Sequence, residues 1–418
     1  MSNSNITYTV VDRFLKYITY DTQSSETSET YPSTEKQKLL GKYLVEELRE
    51  MGLSDAKMDD YGYVTATLPA NTSKTIPTIG LIAHMDTSPD VSGKDVKAIV
   101  HKNYQGGDIV LPGDTTQILR EKESPDLKNQ IGHDIITSDG TTLLGADNKA
   151  GIAEIFDAIH HLIHHPEIPH GRIRIAVTPD EEVGNGTKYF DVEKFGADFA
   201  YTIDGESAGE IENETFCADS VLIKINGYNV HPGYAKNKLV NSIKIMSELI
   251  DRLPKDMLSP ETTEKRQGYI HPHGIEGNVE RSMVKFLIRD FTVEGLKEKE
   301  AFLKDLAERV VSNYPKATLE FEVSESYRNM KYKLDETPHV TEYAIEAIKR
   351  SDMQPRLGMI RGGTDGSRLS YMGLPTPNIF TGGHNFHSKL EWISVQDMQK
   401  AVDVIVNLVN VWAENTIS

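Results

Sequence analysis

Five apolar runs in this sequence stop abruptly at a histidine or a carboxylate, and that repetition limits the folds open to the chain. "GLIAHMDTSPD" leaves Leu81, Ile82 and Ala83 for His84 and Asp86. "TLLGADNKAG" places Asp147 after Gly145, and "AVTPDEEVGNG" presents Glu181 and Glu182. "YTIDGES" ends at Asp204, and "FTGGHNFHSKLEW" offers His384 and His387 after a glycine pair. Short, continuous apolar runs of this kind suit strands covered on both faces, as in parallel sheets. In an open α/β sheet the loops at the carboxyl ends of the strands line one crevice, so all five segments can converge there.

The helical signals fit such a sheet. Val10, Val11, Phe14, Leu15 and Ile18 have helical spacing, and residues 35–51 repeat the pattern and stop at Gly52. Strands are expected at 61–68, 77–83, 172–179 and 198–204, with a helix starting near Asp147 and running through "NKAGIAEIFDAIHHL". Alternating strands and helices give an α/β core. After about Cys217 the rhythm changes to β-α-β-β-α-β, the order of a ferredoxin-like split unit. At 418 residues the chain exceeds what one core usually holds. The expected organisation is therefore one domain from 1–216 and 327–418, with an inserted α+β domain at 217–326. A closing helix is expected at 395–412.

Lys plus Arg total 45 against 63 Asp plus Glu, a formal charge of -18. That balance repels nucleic-acid backbones and anionic membranes but suits a site that holds cations. The single cysteine, Cys217, allows no internal disulfide. The first residues lack a basic segment before an apolar one, and no apolar run approaches the ~20 residues of a membrane span. A cytoplasmic protein is the expectation.

Each chemical segment alone has a plain structural explanation. Asp147 suits a helix N-cap, Glu181 and Glu182 a solvated turn, and Asp204 a turn residue. Together they do not, because several carboxylates in one crevice resist joint ionisation unless cations reverse the repulsion. Nitrogen and carboxylate donors in this number suit two zinc-like ions when one carboxylate bridges them. Ion pairs about 3.5–4 Å apart are a standard apparatus for hydrolysing amides and phosphates. The pairs His160/His164 and His161/His165 also have metal-binding spacing, but they lie at the far end of the helix from Asp147 and read as a solvated helix end.

The motifs "HMDTSPD", "LLGADNKAG", "TPDEEVG", "IDGE", "IRDF", "RGGTDG" and "GLPTPNIFTGGHNFH" resemble, in order and over nearly the whole chain, those of the dinuclear zinc exopeptidases of the aminoacylase and carboxypeptidase G2 superfamily. The resemblance is nearest to its tripeptide aminopeptidases. It implies an α/β, mixed-sheet catalytic domain with an inserted ferredoxin-like lid or dimerisation domain. It further implies removal of the N-terminal residue from tripeptides, with two divalent ions per subunit, most often zinc, replaceable by cobalt or manganese. By the same resemblance His84 and Asp204 hold one ion, Glu182 and His387 the other, and Asp147 bridges. His387 is preferred to His384 because the family retains the later histidine.

Asp86 would orient His84, and Glu181 would act as general base. His231, in "NGYNVHPGYAK", resembles an inserted-domain histidine that binds the substrate carbonyl, in some relatives across a homodimer. Arg289 and Arg361 are candidates for the peptide's terminal carboxylate, since guanidinium matches it bidentately; a plain ion pair is the alternative for either. "GGTDG" lacks the Gly-Lys-Ser/Thr ending of a phosphate loop and reads as a tight turn lining the substrate pocket. A dipeptidase, deacylase or carboxypeptidase of the superfamily, or a non-catalytic binder on the same scaffold, remain the other readings of these residues.

Overall fold

The computed structural model describes residues 7–415. The chain divides into two compact units, one of Met1–Asn213, Met330–Gly358 and Thr364–Ser418, the other of Glu214–Asn329 and Met359–Gly363.

The first unit is α/β. Strands Ile79–His84 and Ile173–Thr178 are buried at every position, as strands with both faces covered must be. Ile79–His84 runs parallel to Ile173–Thr178 on one side and to Phe199–Gly205 on the other, and Asn378–Phe380 runs parallel to Phe199–Gly205. Val64–Leu68 and Glu210–Thr215 flank this centre in antiparallel pairings. The eight-stranded sheet is thus mixed, with a parallel middle. Its parallel strands end on one edge, which brings together His84, Asp204 and the turns that follow Thr178 and Phe380.

Helix Ala146–His164 packs on strands Ile79–His84 and Phe199–Gly205 and against helices Val10–Tyr17 and Val395–Glu414. A Cβ at Gly151 would lie 2.0 Å from the Ile203 carbonyl, so only glycine lets the helix approach the strand this closely. That approach sets Asp147, one turn earlier, beside the end of the Asp204 strand. A second, four-stranded sheet joins Gly383–His384, Trp392–Ser394, Ile135–Thr137 and Ile99–His101, and fixes both ends of the His384–Trp392 loop.

Glu154, in the middle of the buried helix, is 0% exposed, and neither carboxyl oxygen has a hydrogen-bond partner. Burial, reinforced by Asp397, pushes its carboxyl well above the usual range. A raised carboxyl favours folding while both states are protonated. That stability is lost as pH rises from the unfolded value, about 4.3, through the folded one. Glu154→Gln should therefore change Tm little at pH 4 and raise it at pH 8. Thermal unfolding of both proteins at the two pH values checks this.

The second unit is a four-stranded antiparallel sheet in the order Tyr269–Gly277, Arg281–Asp290, Cys217–Asn226, Thr318–Tyr327. Helices Ser242–Asp251 and Val293–Ser312 pack on it around Val221, Ile223, Phe286, Leu303 and Val310. Met359–Gly363 also goes with this unit, outside the 217–326 span expected from the sequence. The Phe216 N–H donates to the Ile360 carbonyl at 3.2 Å. The Arg361 guanidinium donates to the carbonyls of Lys265, Gln267 and Thr263 and lies over the Phe216 ring.

Candidate active site

His84 is the last residue of its strand, and Asp86 lies just beyond it. His84 Nδ1 donates to the Asp86 carbonyl at 3.0 Å, with the Asp86 carboxylate 3.3 Å away. This leaves Nε2 facing Asp147 at 2.9 Å and Asp204 at 3.4 Å. A histidine fixed through Nδ1 presents Nε2 as a ligand atom.

Asp147 stands before the regular part of its helix. It and Asn148 lie outside helical geometry, at φ/ψ of -84°/102° and -126°/36°. Its Oδ1 faces His84 and its Oδ2 faces His387 Nε2, 3.2 Å away. The same His387 nitrogen is 2.7 Å from Glu182 Oε2. Two groups of potential ligand atoms result, His84–Asp147–Asp204 and Asp147–Glu182–His387, and they share Asp147. His384 belongs to neither. It is buried and stacked on Trp392 with ring centroids 4.3 Å apart. His387 sits at φ +59°, a left-handed conformation uncommon for a side-chain-bearing residue, and Asp90 faces its Nδ1 at 3.4 Å.

The electrostatics are those of an acid-rich crevice. Burial opposes a charge on His84, yet Asp204, Asp147 and Asp86 hold it well above the ordinary imidazole value. Hydrogen bonds that His387 donates to Asp147 and Glu182 push it up to about 11. Burial pushes Glu182 up to about 8 and Asp204 to about 6. Asp147 alone is held below the carboxylate range, because the two imidazoles outweigh its burial. The Glu182 Oε1 is buried without a hydrogen-bond partner. Two imidazoles, three carboxylates and an orphaned carboxylate oxygen fit a pair of divalent cations.

Glu181 and Glu182 follow the buried strand Ile173–Thr178 in a single turn of 3-10 helix. The Asp86 carboxylate accepts the Glu181 N–H at 3.0 Å through one oxygen and the Glu182 N–H at 3.1 Å through the other. Asp86 therefore holds the whole acidic turn as well as His84. Glu181 lies in neither ligand group. Burial drives its carboxyl well above the ordinary range; His84 opposes this, and Asp365, Asp204 and Glu182 add to it. That raises its basicity, as a proton acceptor needs. Asp86→Asn would set an amide N–H against a backbone N–H. The expected cost is about 10–100-fold in metal affinity or kcat/KM, as for other groups that orient ligands. A zinc titration of the variant with parallel kinetics measures it.

Two residues of this region escaped the sequence reading. Asp180, at φ +57°, accepts hydrogen bonds from the Ser33 N–H and hydroxyl, both at 2.5 Å, and from Gln37 Nε2 at 2.6 Å. It ties the acidic turn to the start of helix Gln37–Glu50. Asp365, of "RGGTDG", accepts the Thr178 hydroxyl at 2.8 Å and is pushed up to about 7 by burial. The "GGTDG" segment is a helix start rather than a tight turn, with Thr364 capping Asp365–Tyr371. Only the acids themselves, placed beside a strand end and a Gly pair, signalled either role.

The remaining candidates lie in the second unit. Arg289 donates to the carbonyls of Asp219 and Ile288 and lies over the Tyr327 ring. Arg361 is held by the three carbonyls described above. His231 is exposed, and its Nδ1 accepts the Gly233 N–H at 3.1 Å. The histidines at 160–165 form two ring pairs, His161 stacked on His165 and His160 tilted against His164, and neither pair enters a ligand group among the described residues.

The fold has counterparts in known proteins. Residues 139–411 match the model of peptidase family M20/M25/M40, and the chain belongs to that family. Within it, the chain is 52% identical over 405 residues to peptidase T of Caldanaerobacter subterraneus subsp. tengcongensis, covering 97% of this chain and 99% of the relative. It is 51% identical to peptidase T of Clostridium novyi with the same coverage. The crystal structure of aminopeptidase PepT from Bacillus cereus aligns with a TM-score of 0.75 and 25% identity, over 97% of this chain and 98% of that one. A dinuclear metal-binding peptidase of the M20 family from Bacillus subtilis shares the fold at a TM-score of 0.65 and 14% identity, over 98% of both chains.

Proposed function

We propose that this protein is a metal-dependent aminopeptidase that removes the N-terminal residue from tripeptides. The observation that carries the reading is the carboxylate of Asp147, whose two oxygens face two different imidazoles in two ligand groups. The full-length likeness to peptidases T directs it to tripeptides. His84 and Asp204 would hold one divalent ion, Glu182 and His387 the other, and Asp147 both. Zinc is the preferred ion, with cobalt or manganese as substitutes. Bound there, the ions would polarise the peptide carbonyl and activate water for attack.

The chain's own residues do the rest. Glu181 takes the proton released as the water oxygen bonds to the carbonyl carbon. It returns that proton to the amide nitrogen as the C–N bond breaks. Asp86 keeps Glu181 and Glu182 at fixed spacing through their N–H groups. His231 is proposed to bind the substrate carbonyl oxygen. Arg289 and Arg361 are proposed for the terminal carboxylate, although their donors to backbone carbonyls favour a tethering role. The β-α-β-β-α-β order and sheet order of the second unit support a ferredoxin-like lid or dimerisation module. Among the described residues no helix is long and apolar enough to cross a membrane.

Incubation of the pure zinc- or cobalt-loaded protein with a Leu- or Met-initial tripeptide should release the first residue. No release, with cleavage of an N-acyl amino acid instead, would move the assignment to a deacylase of the same family.

A further inference from the structure

Glu391 is four residues beyond His387 and is 1% exposed. A buried carboxylate is costly unless its oxygens accept hydrogen bonds. Here one oxygen accepts the Leu144 and Gly145 N–H groups, each at 2.7 Å, and the other accepts the Asp147 N–H at 3.0 Å. All three donors belong to the turn that carries Asp147 into its helix, 244–247 residues away in sequence.

At its other end Glu391 is joined to a loop that holds its own shape. The Ser388 hydroxyl donates to the Asn385 carbonyl at 2.8 Å, and Asn385 Nδ2 donates to the Leu390 carbonyl at 3.2 Å. That loop presents His387, whose Nε2 lies 3.2 Å from Asp147 Oδ2. The next residues, Trp392–Ser394, are fixed by pairing with Ile135–Thr137. One carboxylate therefore couples the turn of the shared aspartate to the loop of the histidine beside it.

We infer that Glu391 is a positioning residue that sets the separation between Asp147 and His387 and thereby the affinity of the Asp147–Glu182–His387 group for its cation. The inference rests on the dinuclear reading of the site. Three N–H donors require acceptor oxygens on both arms of the side chain, and an amide has only one. In Glu391→Gln, either the Asp147 N–H or the Leu144 and Gly145 N–H groups would face another donor, and the Asp147 turn would shift.

The test is a zinc titration of wild type, Glu391→Gln and Glu391→Asp, with kinetics at low and saturating zinc and thermal unfolding of the metal-free proteins. Wild type should bind two ions. In Glu391→Gln one of the two zinc Kd values should rise about 10–100-fold while the other changes less. Its kcat should fall at low zinc and recover at saturating zinc, with KM little changed. Glu391→Asp, which keeps both oxygens on a shorter arm, should lie between and carries the test if the glutamine variant does not fold. Unchanged zinc affinities with only a lowered Tm would show a structural role and overturn the inference. A wild-type chain that binds no zinc would overturn instead the reading on which it rests.

Discussion

Glu181→Gln is expected to lower kcat on tripeptides by roughly 10²–10⁴-fold, the range general acid–base catalysis contributes, while the protein keeps its full metal content. The substitution preserves size, and the contact that fixes this residue, from its N–H to Asp86, is a backbone one and survives. What is lost is a basic carboxylate placed beside the ligand groups without joining either. Elemental analysis together with steady-state kinetics separates the two properties. A variant of near wild-type activity would remove the assignment of the base. A variant that also loses metal would make Glu181 a ligand rather than a base.

Asp147→Ala is expected to be the most damaging single change to the centre. Asp147 is the only residue present in both ligand groups, and it is the carboxyl that the surrounding imidazoles hold ionised. Its removal takes a ligand from both positions, a loss that the accompanying relief of like-charge repulsion on Glu182 and Asp204 does not replace. Metal content should drop from two ions toward none. Activity should fall by at least ~10³-fold, since the charge stabilisation that ions supply is worth several kcal/mol. Asp204→Ala and His387→Ala each touch one group and should retain one ion. The contrast among the three variants is read by metal analysis alone and needs no substrate.

How much of this was legible in the sequence depends on how local each signal was. The helix Ala146–His164 and the strands Ile79–His84 and Ile173–Thr178 announce themselves by unbroken apolar patterning, and the acids at their ends are conspicuous. The sheet of Ile99–His101, Ile135–Thr137, Gly383–His384 and Trp392–Ser394 was not anticipated. Strands of two or three residues carry no measurable period, and the pairing of Trp392–Ser394 with Ile135–Thr137 crosses more than 250 positions of chain. Long separation in sequence also hides Asp180, whose partners Ser33 and Gln37 lie some 145 residues earlier, and Glu391.

Arg361 shows how little a conspicuous local signal decides by itself. A guanidinium beside a glycine pair invites a carboxylate, and the fold gives it backbone carbonyls. Nothing in the residues around it distinguishes the two uses. His384 and His387 are separated only by the turn between them, where Asn385 and His387 adopt positive φ and send the two rings in different directions.

The claim on which all of this depends is that five side chains from distant parts of the chain enclose two neighbouring cations. Crystals of the zinc-loaded protein, with diffraction recorded on both sides of the zinc absorption edge, address it directly. Two anomalous peaks about 3.5–4 Å apart are expected, with the Asp147 carboxylate between them, His84 and Asp204 at one and Glu182 and His387 at the other. A single peak, or peaks bound by other residues, would contradict it.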